Sequence, residues 1–245
     1  MKTKIKATLV AGVLSVVSGS VFAVNSNSCA NYSNGKCYYN STVAVDSAKY
    51  GVAGDFLELD EHPTSAPHYD SNAYVSKVIL SALVGNQWSA YNYRLEYLAD
   101  ENDYKNKGYL GWFFRGVPAL VSYSDTWEFP DKFYKYAKGN KDTYKGMHFD
   151  YVTHDPSREY LDIMKIKKGD IIFADWGNDG IIDYTFLVTS LDSSKTNYDR
   201  IKVTYARGYS YPVTIDRSLH NINIGHNYKA TFKVYRPTFY SDLGL

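Results

Sequence analysis

The sequence carries almost no net charge. Its 245 residues include 27 lysine and arginine residues against 26 aspartate and glutamate residues. A chain this close to charge balance has no electrostatic footprint for nucleic acid or for an anionic membrane surface. We therefore expect no nucleic-acid partner. Cysteine is also scarce, since there are only two.

Long hydrophobic runs are missing, except at the start of the chain. Three lysines precede an apolar run over residues 7–22, which ends in the small-residue pattern of residues 21–23. This pattern predicts a signal peptide over residues 1–23 and therefore a secreted or periplasmic protein. A membrane anchor is the alternative, but the run is short for a span of about 20 residues and leads into polar residues. We expect a single domain over residues 24–245, with no membrane span once the signal is removed.

Both cysteines lie near the start of the expected mature chain. Cys29 and Cys37 bracket a short segment whose Asn34-Gly35 pair favours a tight reversal. In an exported protein such a pair is expected to form a disulfide. The alternative, a redox or metal-binding pair, needs partner ligands that the sequence does not offer. We therefore expect no metal and no cofactor.

Two segments of the first third have a helical period. Residues 39–50 repeat apolar or small side chains at helical spacing, and residues 70–84 do so more strongly. We expect Asp70 or Ser71 to be the N-cap of the second helix. Ser71 then projects along the inward stripe at the first turn, close to the positive end of the helix dipole. The stripe consists of Tyr74, Val75, Val78, Ile79, Ala82 and Leu83.

The residue pattern in the last third of the chain predicts strands. Residues 171–174 and 181–189 flank a turn that ends in Asp179-Gly180, which is a strong hairpin signal. Residues 201–206 and 228–235 alternate with a period of two, and we expect them to complete an antiparallel sheet. Helices followed by strands indicate the α+β class.

The middle of the chain is dense in aromatic residues and has little regular pattern. We expect an aromatic-rich insertion over about residues 86–150, with one short helix opening at Pro130. Exposed tyrosine and tryptophan side chains provide rigid contact area with a polar tip. Trp88, Trp112 and Trp176 are therefore candidates for ligand contact, although aromatic residues also pack the loops of secreted domains.

Five short motifs follow one another along the chain. They are Tyr39-Asn40 with Ala44 and Tyr50; Asp70-Ser71 with Tyr74-Val75-Ser76; Ser124 and Trp127 with Phe133 and Tyr136; Lys168-Gly169-Asp170-Ile171-Ile172; and Asp179-Gly180 with Asp183-Tyr184. In this order the motifs resemble those of the putative amidase domain family. The resemblance implies a papain-like, NlpC/P60-like plan, in which N-terminal helices pack on a C-terminal antiparallel sheet.

The resemblance also implies that the reactive groups have been replaced. A family Cys nucleophile would stand at Ser71 and a family His base at Tyr184, and the neighbouring family Asn and Gln are Ala73 and Lys77 here. A serine hydroxyl needs a base to take its proton, whereas a phenol, with a reference pKa of about 10, is mostly protonated at pH 7. We therefore expect a cleft that binds a peptidoglycan fragment or another protein without cleaving it. Its expected lining residues are Asp70, Trp88, Trp112, Trp176 and Asp183.

Two other functions stay open at this point. A Ser-dependent amidase would need one of the six histidines beside Ser71, and His68 lies only three residues before it. A secreted toxin or adhesin would instead use the aromatic middle segment around Trp112 as its contact surface.

The turn over residues 175–183 resembles the first half of a Ca²⁺ loop. Gly177 and Phe186 occupy its third and twelfth positions, where oxygen ligands would be expected. A polar hairpin turn is the favoured interpretation, so we expect no metal site there.

Overall fold

The structure is a computed structural model that describes residues 29–50, 69–84, 130–139, 146–153, 160–206, 213–227 and 229–241. Its helices are α1 (Ser41–Tyr50), α2 (Tyr69–Val84), α3 (Pro130–Gly139), α4 (Tyr160–Lys165) and α5 (Leu219–Gly225), with a 3₁₀ turn at Tyr198–Arg200. Its strands are β1 (Tyr32–Ser33), β2 (Lys36–Tyr38), β3 (Gly146–Thr153), β4 (Ile171–Asp175), β5 (Tyr184–Leu191), β6 (Ile201–Ala206), β7 (Val213–Ser218) and β8 (Thr231–Ser241).

The described strands form one sheet in the order β1-β2-β8-β4-β5-β6-β7, with β3 also paired to β8. Every strand pair in the described part of the chain is antiparallel. Helices together with an antiparallel sheet confirm the α+β class at that level of detail.

The long strand β8 pairs with strands from three different parts of the described chain. Its residues 231–235 pair with β4, and its residues 239–241 pair with β2. Strand β3 pairs along the opposite edge of β8, over residues 234–241. The sheet therefore brings the N-terminal hairpin, the middle segment and the last described strand together.

Side chains from the two faces of the sheet belong to two separate cores. Ile171, Phe173 and Leu187 belong to a cluster with side chains of α1, α2 and α3, which we call the α2-side core. Ile172 and Phe186 belong to a cluster with side chains of α4 and α5, which we call the α5-side core. Since successive residues of a strand point to opposite faces, neighbouring residues of β4 and β5 divide between the two cores.

Helix α2 buries the stripe that its sequence predicts. All six stripe residues are fully buried, and the Tyr74 hydroxyl donates a hydrogen bond to the Ala48 carbonyl of α1 at 2.8 Å. The predicted N-cap is wrong, because the helix begins at Tyr69. Asp70 and Ser71 therefore lie inside the first turn.

The predicted hairpin is present, but its second strand begins later than expected. Strands β4 and β5 pair with Ile171 opposite Leu187 and Ala174 opposite Tyr184. Residues 181–183 belong to the turn, because the Asp183 N–H donates to the Ala174 carbonyl at 2.8 Å and closes the loop. Strand β6 has the predicted bounds.

The final strand lies further along the chain than predicted. It spans Thr231–Ser241 rather than residues 228–235. Four further elements were not predicted from the sequence, namely β3, β7, α4 and α5. Within the segment interpreted as an insertion, α3 and the start of β3 contribute buried side chains to the α2-side core, and residues 86–129 lie outside the described residues.

The predicted disulfide between Cys29 and Cys37 is confirmed. It closes the β1–β2 hairpin, and the adjacent Ala30 N–H donates to the Leu83 carbonyl at the end of α2 at 2.9 Å. The expected signal peptide lies outside the described residues. None of the described helices has the length and apolar character needed to cross a membrane.

Candidate functional site

The turn before β4 is held by a buried ion pair. Lys168-Gly169-Asp170 enters the strand, and the Asp170 side chain is only 1% exposed. Its oxygens accept hydrogen bonds from Arg236 Nε at 2.7 Å and Nη2 at 2.8 Å, and from the Lys167 N–H at 2.8 Å. Burial raises the pKa of the Asp170 carboxyl, and the hydrogen bonds from Arg236 act against that rise. This motif therefore positions β4 against β8.

The same turn is tied to the segment before α1. The Tyr39 hydroxyl donates to the Gly169 carbonyl at 2.9 Å. Gly169 has a φ of +88°, and a Cβ there would lie 2.6 Å from the Ser41 Cβ. Only glycine fits this close approach without displacing α1.

Ser71 lies at the first turn of α2 and points into the protein. Its side chain is fully buried, and its hydroxyl donates a hydrogen bond to the main-chain carbonyl of Thr185 on β5. The Thr185 hydroxyl in turn donates to Oδ1 of Asn72 at 2.8 Å. Two consecutive residues of α2 are thus hydrogen-bonded to one residue of β5.

Tyr184 belongs to the other face of the sheet. Its hydroxyl donates to the Ala206 carbonyl at 2.9 Å, and its ring is part of the α5-side core. The ring stacks on Phe186 at a centroid distance of 5.3 Å and meets Tyr205 edge to face at 5.7 Å. Since the Thr185 side chain points towards α2, the alternation of β5 directs Tyr184 away from it.

The Ser71 hydroxyl and the Tyr184 ring therefore lie on opposite sides of β5. The residue of β5 that meets the start of α2 is Thr185, which sequence reasoning did not single out. A period of two indicates that residues 184 and 185 face opposite sides, and this was the only sequence signal that pointed to Thr185.

A second polar group lies further along the face of the sheet that holds Thr185. Thr189 and Thr204 are fully buried, and their hydroxyls lie 2.8 Å apart. The Thr189 hydroxyl also donates to Asp216 Oδ1 at 2.6 Å, and Lys49 Nζ of α1 lies 3.5 Å from Asp216 Oδ2. The Asp216 carboxylate beside these two threonines is therefore already paired with a hydroxyl and an ammonium group.

The acidic turn after β4 is organised by its own backbone. Asp175 accepts hydrogen bonds from the N–H groups of Asp179 at 3.2 Å and Gly180 at 2.8 Å. Asp183 accepts one from the Trp176 N–H at 2.8 Å. No group of three or more potential metal ligands occurs among the described residues. The carboxylates of this turn satisfy backbone donors, as in an ordinary polar hairpin turn.

The predicted lining residues do not gather around Ser71 in the described part of the chain. Trp176 packs on the α5-side core, where its ring is parallel to His226 at a centroid distance of 3.8 Å. Asp183 lies in the turn beside it. Asp70 is on α2 next to Ser71, whereas Trp88, Trp112 and His68 lie outside the described residues.

The described histidines are found at other positions in the fold. His148 of β3 stacks on Phe239 at 4.4 Å, and His226 follows α5 and stacks on Trp176. His220 is in the first turn of α5, where its N–H donates to the N-cap Ser218. Each of these histidines has ring or backbone partners away from α2.

A family model described as a putative amidase domain matches residues 39–235. Comparison with curated proteins gives no match, and comparison with solved structures gives none either. The matched segment includes Ser71, the Gly169-Asp170 turn and both strands of the hairpin.

Proposed function

The chain belongs to the putative amidase domain family, and we propose that it is a secreted member that binds its target without cleaving it. The proposed target is a peptide-bearing fragment of the bacterial cell wall, the substrate class that the resemblance to NlpC/P60-like hydrolases implies. Secretion is inferred from the signal-peptide pattern over residues 1–23.

One observation carries this proposal: the Ser71 hydroxyl is used as a structural hydrogen-bond donor. It is fully buried and donates to the carbonyl of Thr185. A serine nucleophile needs a base that accepts its proton during the reaction, and a main-chain carbonyl does not do this. Tyr184 offers no substitute base, because its own hydroxyl donates to the Ala206 carbonyl of β6.

The absence of cleavage is tested with soluble peptidoglycan fragments and mass spectrometry. Wild-type protein and Ser71→Ala are each incubated with stem-peptide-bearing fragments, and new amine or carboxyl termini are counted over time. We expect no amide cleavage above the buffer control from either protein. Cleavage by wild type that is lost in Ser71→Ala would contradict the proposal.

The state of the Ser71 hydroxyl is tested independently of the substrate. A fluorophosphonate probe reacts with serine hydroxyls that have a base in place. We expect no labelling of Ser71 in the folded protein, with a known serine hydrolase in the same tube as the positive control. Stoichiometric labelling that disappears in Ser71→Ala would establish a working nucleophile.

Binding is measured separately by isothermal titration calorimetry with the same fragments. We expect wild type to bind, and Ser71→Ala to bind with the same affinity if it stays folded, since the hydroxyl points into the protein. Absence of binding by the wild-type protein at millimolar fragment concentration would refute the proposal that it binds cell-wall fragments.

A further inference from the structure

The hairpin of β1 and β2 reverses through Asn34 and Gly35. The strand pair nearest to the turn is Ser33 opposite Lys36, so these two residues form the whole loop. Both have a positive φ, +52° at Asn34 and +74° at Gly35. Positive φ angles at both residues of such a loop define a type I′ turn, which asparagine followed by glycine adopts most readily. The fold therefore presents an Asn-Gly bond at the tip of a hairpin.

An Asn-Gly bond rearranges without an enzyme. The Gly35 main-chain nitrogen attacks Cγ of Asn34, so that a new N–Cγ bond forms and the bond from Cγ to Nδ2 breaks. The proton that leaves the Gly35 nitrogen passes to Nδ2, which departs as ammonia, and the remaining ring is a succinimide. Water then opens this ring on either side, which gives aspartate or isoaspartate at position 34. Glycine favours the reaction because it has no Cβ to shield the attacking nitrogen.

The surroundings of Asn34 leave both reacting groups accessible. Asn34 and Gly35 are exposed, and a Cβ at Gly35 would have no atom within 4 Å. Neither the Asn34 side chain nor the Gly35 N–H has a hydrogen-bond partner among the described residues. Water therefore reaches the site, and no hydrogen bond of these two groups has to break before they meet.

Asn178 provides a matched internal comparison. It has nearly the same backbone conformation as Asn34, with a φ of +56°, and is also exposed. The nitrogen that would attack its side chain belongs to Asp179, which has a Cβ and whose N–H donates to Asp175 Oδ1 at 3.2 Å. Backbone conformation and exposure are thus alike at the two asparagines, whereas the attacking nitrogen is free only at Asn34.

The disulfide restrains the reaction at Asn34. A succinimide ring fixes the torsion between Cα and the main-chain carbonyl carbon of Asn34 away from its value in a type I′ turn, so the turn has to open before the ring closes. The Cys29–Cys37 bond joins the two sides of the hairpin, and β2 is paired with β8. Without the disulfide the turn opens more often, and the reaction becomes faster.

We propose that Asn34 is a site of spontaneous deamidation, and that the Cys29–Cys37 disulfide sets its rate by holding the turn closed. The modified hairpin carries an additional negative charge. With isoaspartate the main chain also gains a methylene group between Ser33 and Lys36, so the type I′ turn is lost. This modification does not depend on the proposed function, since it involves neither Ser71 nor a bound target.

The site is tested by incubating the purified, oxidised protein in mildly alkaline buffer over weeks, followed by peptide mapping with mass spectrometry. We expect aspartate and isoaspartate to accumulate at Asn34 several-fold faster than at Asn178. Electron-transfer fragmentation distinguishes the two products, and isoaspartate is diagnostic of a succinimide. Equal rates at the two asparagines, or no conversion at Asn34, would overturn the proposal.

The restraint is tested with the double variant Cys29→Ser/Cys37→Ser. Conversion at Asn34 should become at least about tenfold faster, because a disulfide across so short a loop removes most of the open conformations. Conversion at Asn178 should keep its wild-type rate. Unchanged conversion at Asn34 would overturn the restraint, and so would equal acceleration at both asparagines, since the whole fold would then have loosened. Reduction of the wild-type protein with a dithiol gives the same comparison without a substitution, and circular dichroism establishes that each sample is folded.

Discussion

Replacing Arg236 with alanine tests how strongly the ion pair with Asp170 stabilises the fold. The substitution removes two of the three hydrogen bonds to a carboxyl group that is 1% exposed, leaving only the Lys167 N–H at 2.8 Å. Breaking a buried ion pair by removing one partner costs about 3–5 kcal/mol. The Arg236 side chain is itself 30% exposed, so water can reach the site, and we expect the lower end, about 3 kcal/mol.

This loss is measured by urea and thermal unfolding, followed by tryptophan fluorescence. For a chain of this size, about 3 kcal/mol corresponds to a fall in Tm of roughly 6–12 °C. Lys135→Ala is the matched control, because Lys135 also pairs with a carboxylate, Asp131 at 2.6 Å, but is 52% exposed. An exposed pair of this kind contributes less than about 1 kcal/mol. Equal losses of unfolding free energy in the two variants would show that the Asp170–Arg236 pair stabilises the fold no more than an exposed ion pair does.

The loss of unfolding free energy in Arg236→Ala should also depend on pH. Burial raises the pKa of Asp170, and the hydrogen bonds from Arg236 lower it, so the variant raises it further. A carboxyl group whose folded-state pKa is raised contributes stability below its ordinary pKa and loses that contribution as the pH rises through the folded-state pKa. The deficit relative to wild type should therefore be largest at neutral pH and shrink towards pH 4. A deficit that grows on acidification would contradict the assignment.

Three further predictions concern other parts of the fold. The first compares Ser71→Cys with the double variant Ser71→Cys/Tyr184→His, in which the thiol pKa is measured from the pH dependence of its reaction with iodoacetamide. The added histidine should leave that pKa unchanged, because position 184 points away from α2. A fall in the thiol pKa of more than about one unit would show that the imidazole reaches the thiol. Gly169→Ala should lower the unfolding free energy by at least about 2 kcal/mol, because the new Cβ would lie 2.6 Å from the Ser41 Cβ. Gly180→Ala should lower it by only about 1 kcal/mol, because Gly180 has a φ of +91° but no atom within 4 Å of a Cβ there. Equal costs in unfolding experiments would contradict the clash. Replacing both disulfide cysteines with serine should lower the unfolding free energy by about 2–3 kcal/mol, given a sequence separation of 8.

Helix α2 could be predicted because its information is local. Its stripe residues recur every three or four positions, and all six of them are buried in the fold. The start of the helix was less predictable, since α2 begins at Tyr69 rather than at an Asp70 or Ser71 cap. Helix ends depend on a few hydrogen bonds, and two neighbouring residues of similar capping ability give similar signals.

Strands β3 and β7 were missed because their partners are distant or irregular. Strand β3 pairs with β8, more than 80 residues further along the chain, and its register shifts twice. Strand β7 contains Asp216 at a φ of +49° and a register shift against β6. A bulge breaks the period of two on which strand prediction depends, and no local pattern identifies a distant partner.

Four features could be read from the sequence alone, because each depends on neighbouring residues or on the order of short motifs: the disulfide, the buried stripe of α2, the hairpin and the family. The side of β5 that meets α2, in contrast, depends on packing between distant parts of the chain. Alternation places Tyr184 and Thr185 on opposite faces, but both faces of this sheet are covered, so hydrophobicity does not choose between them. Packing places the Thr185 side chain towards α2, and the Thr185 carbonyl accepts a buried hydrogen bond from Ser71.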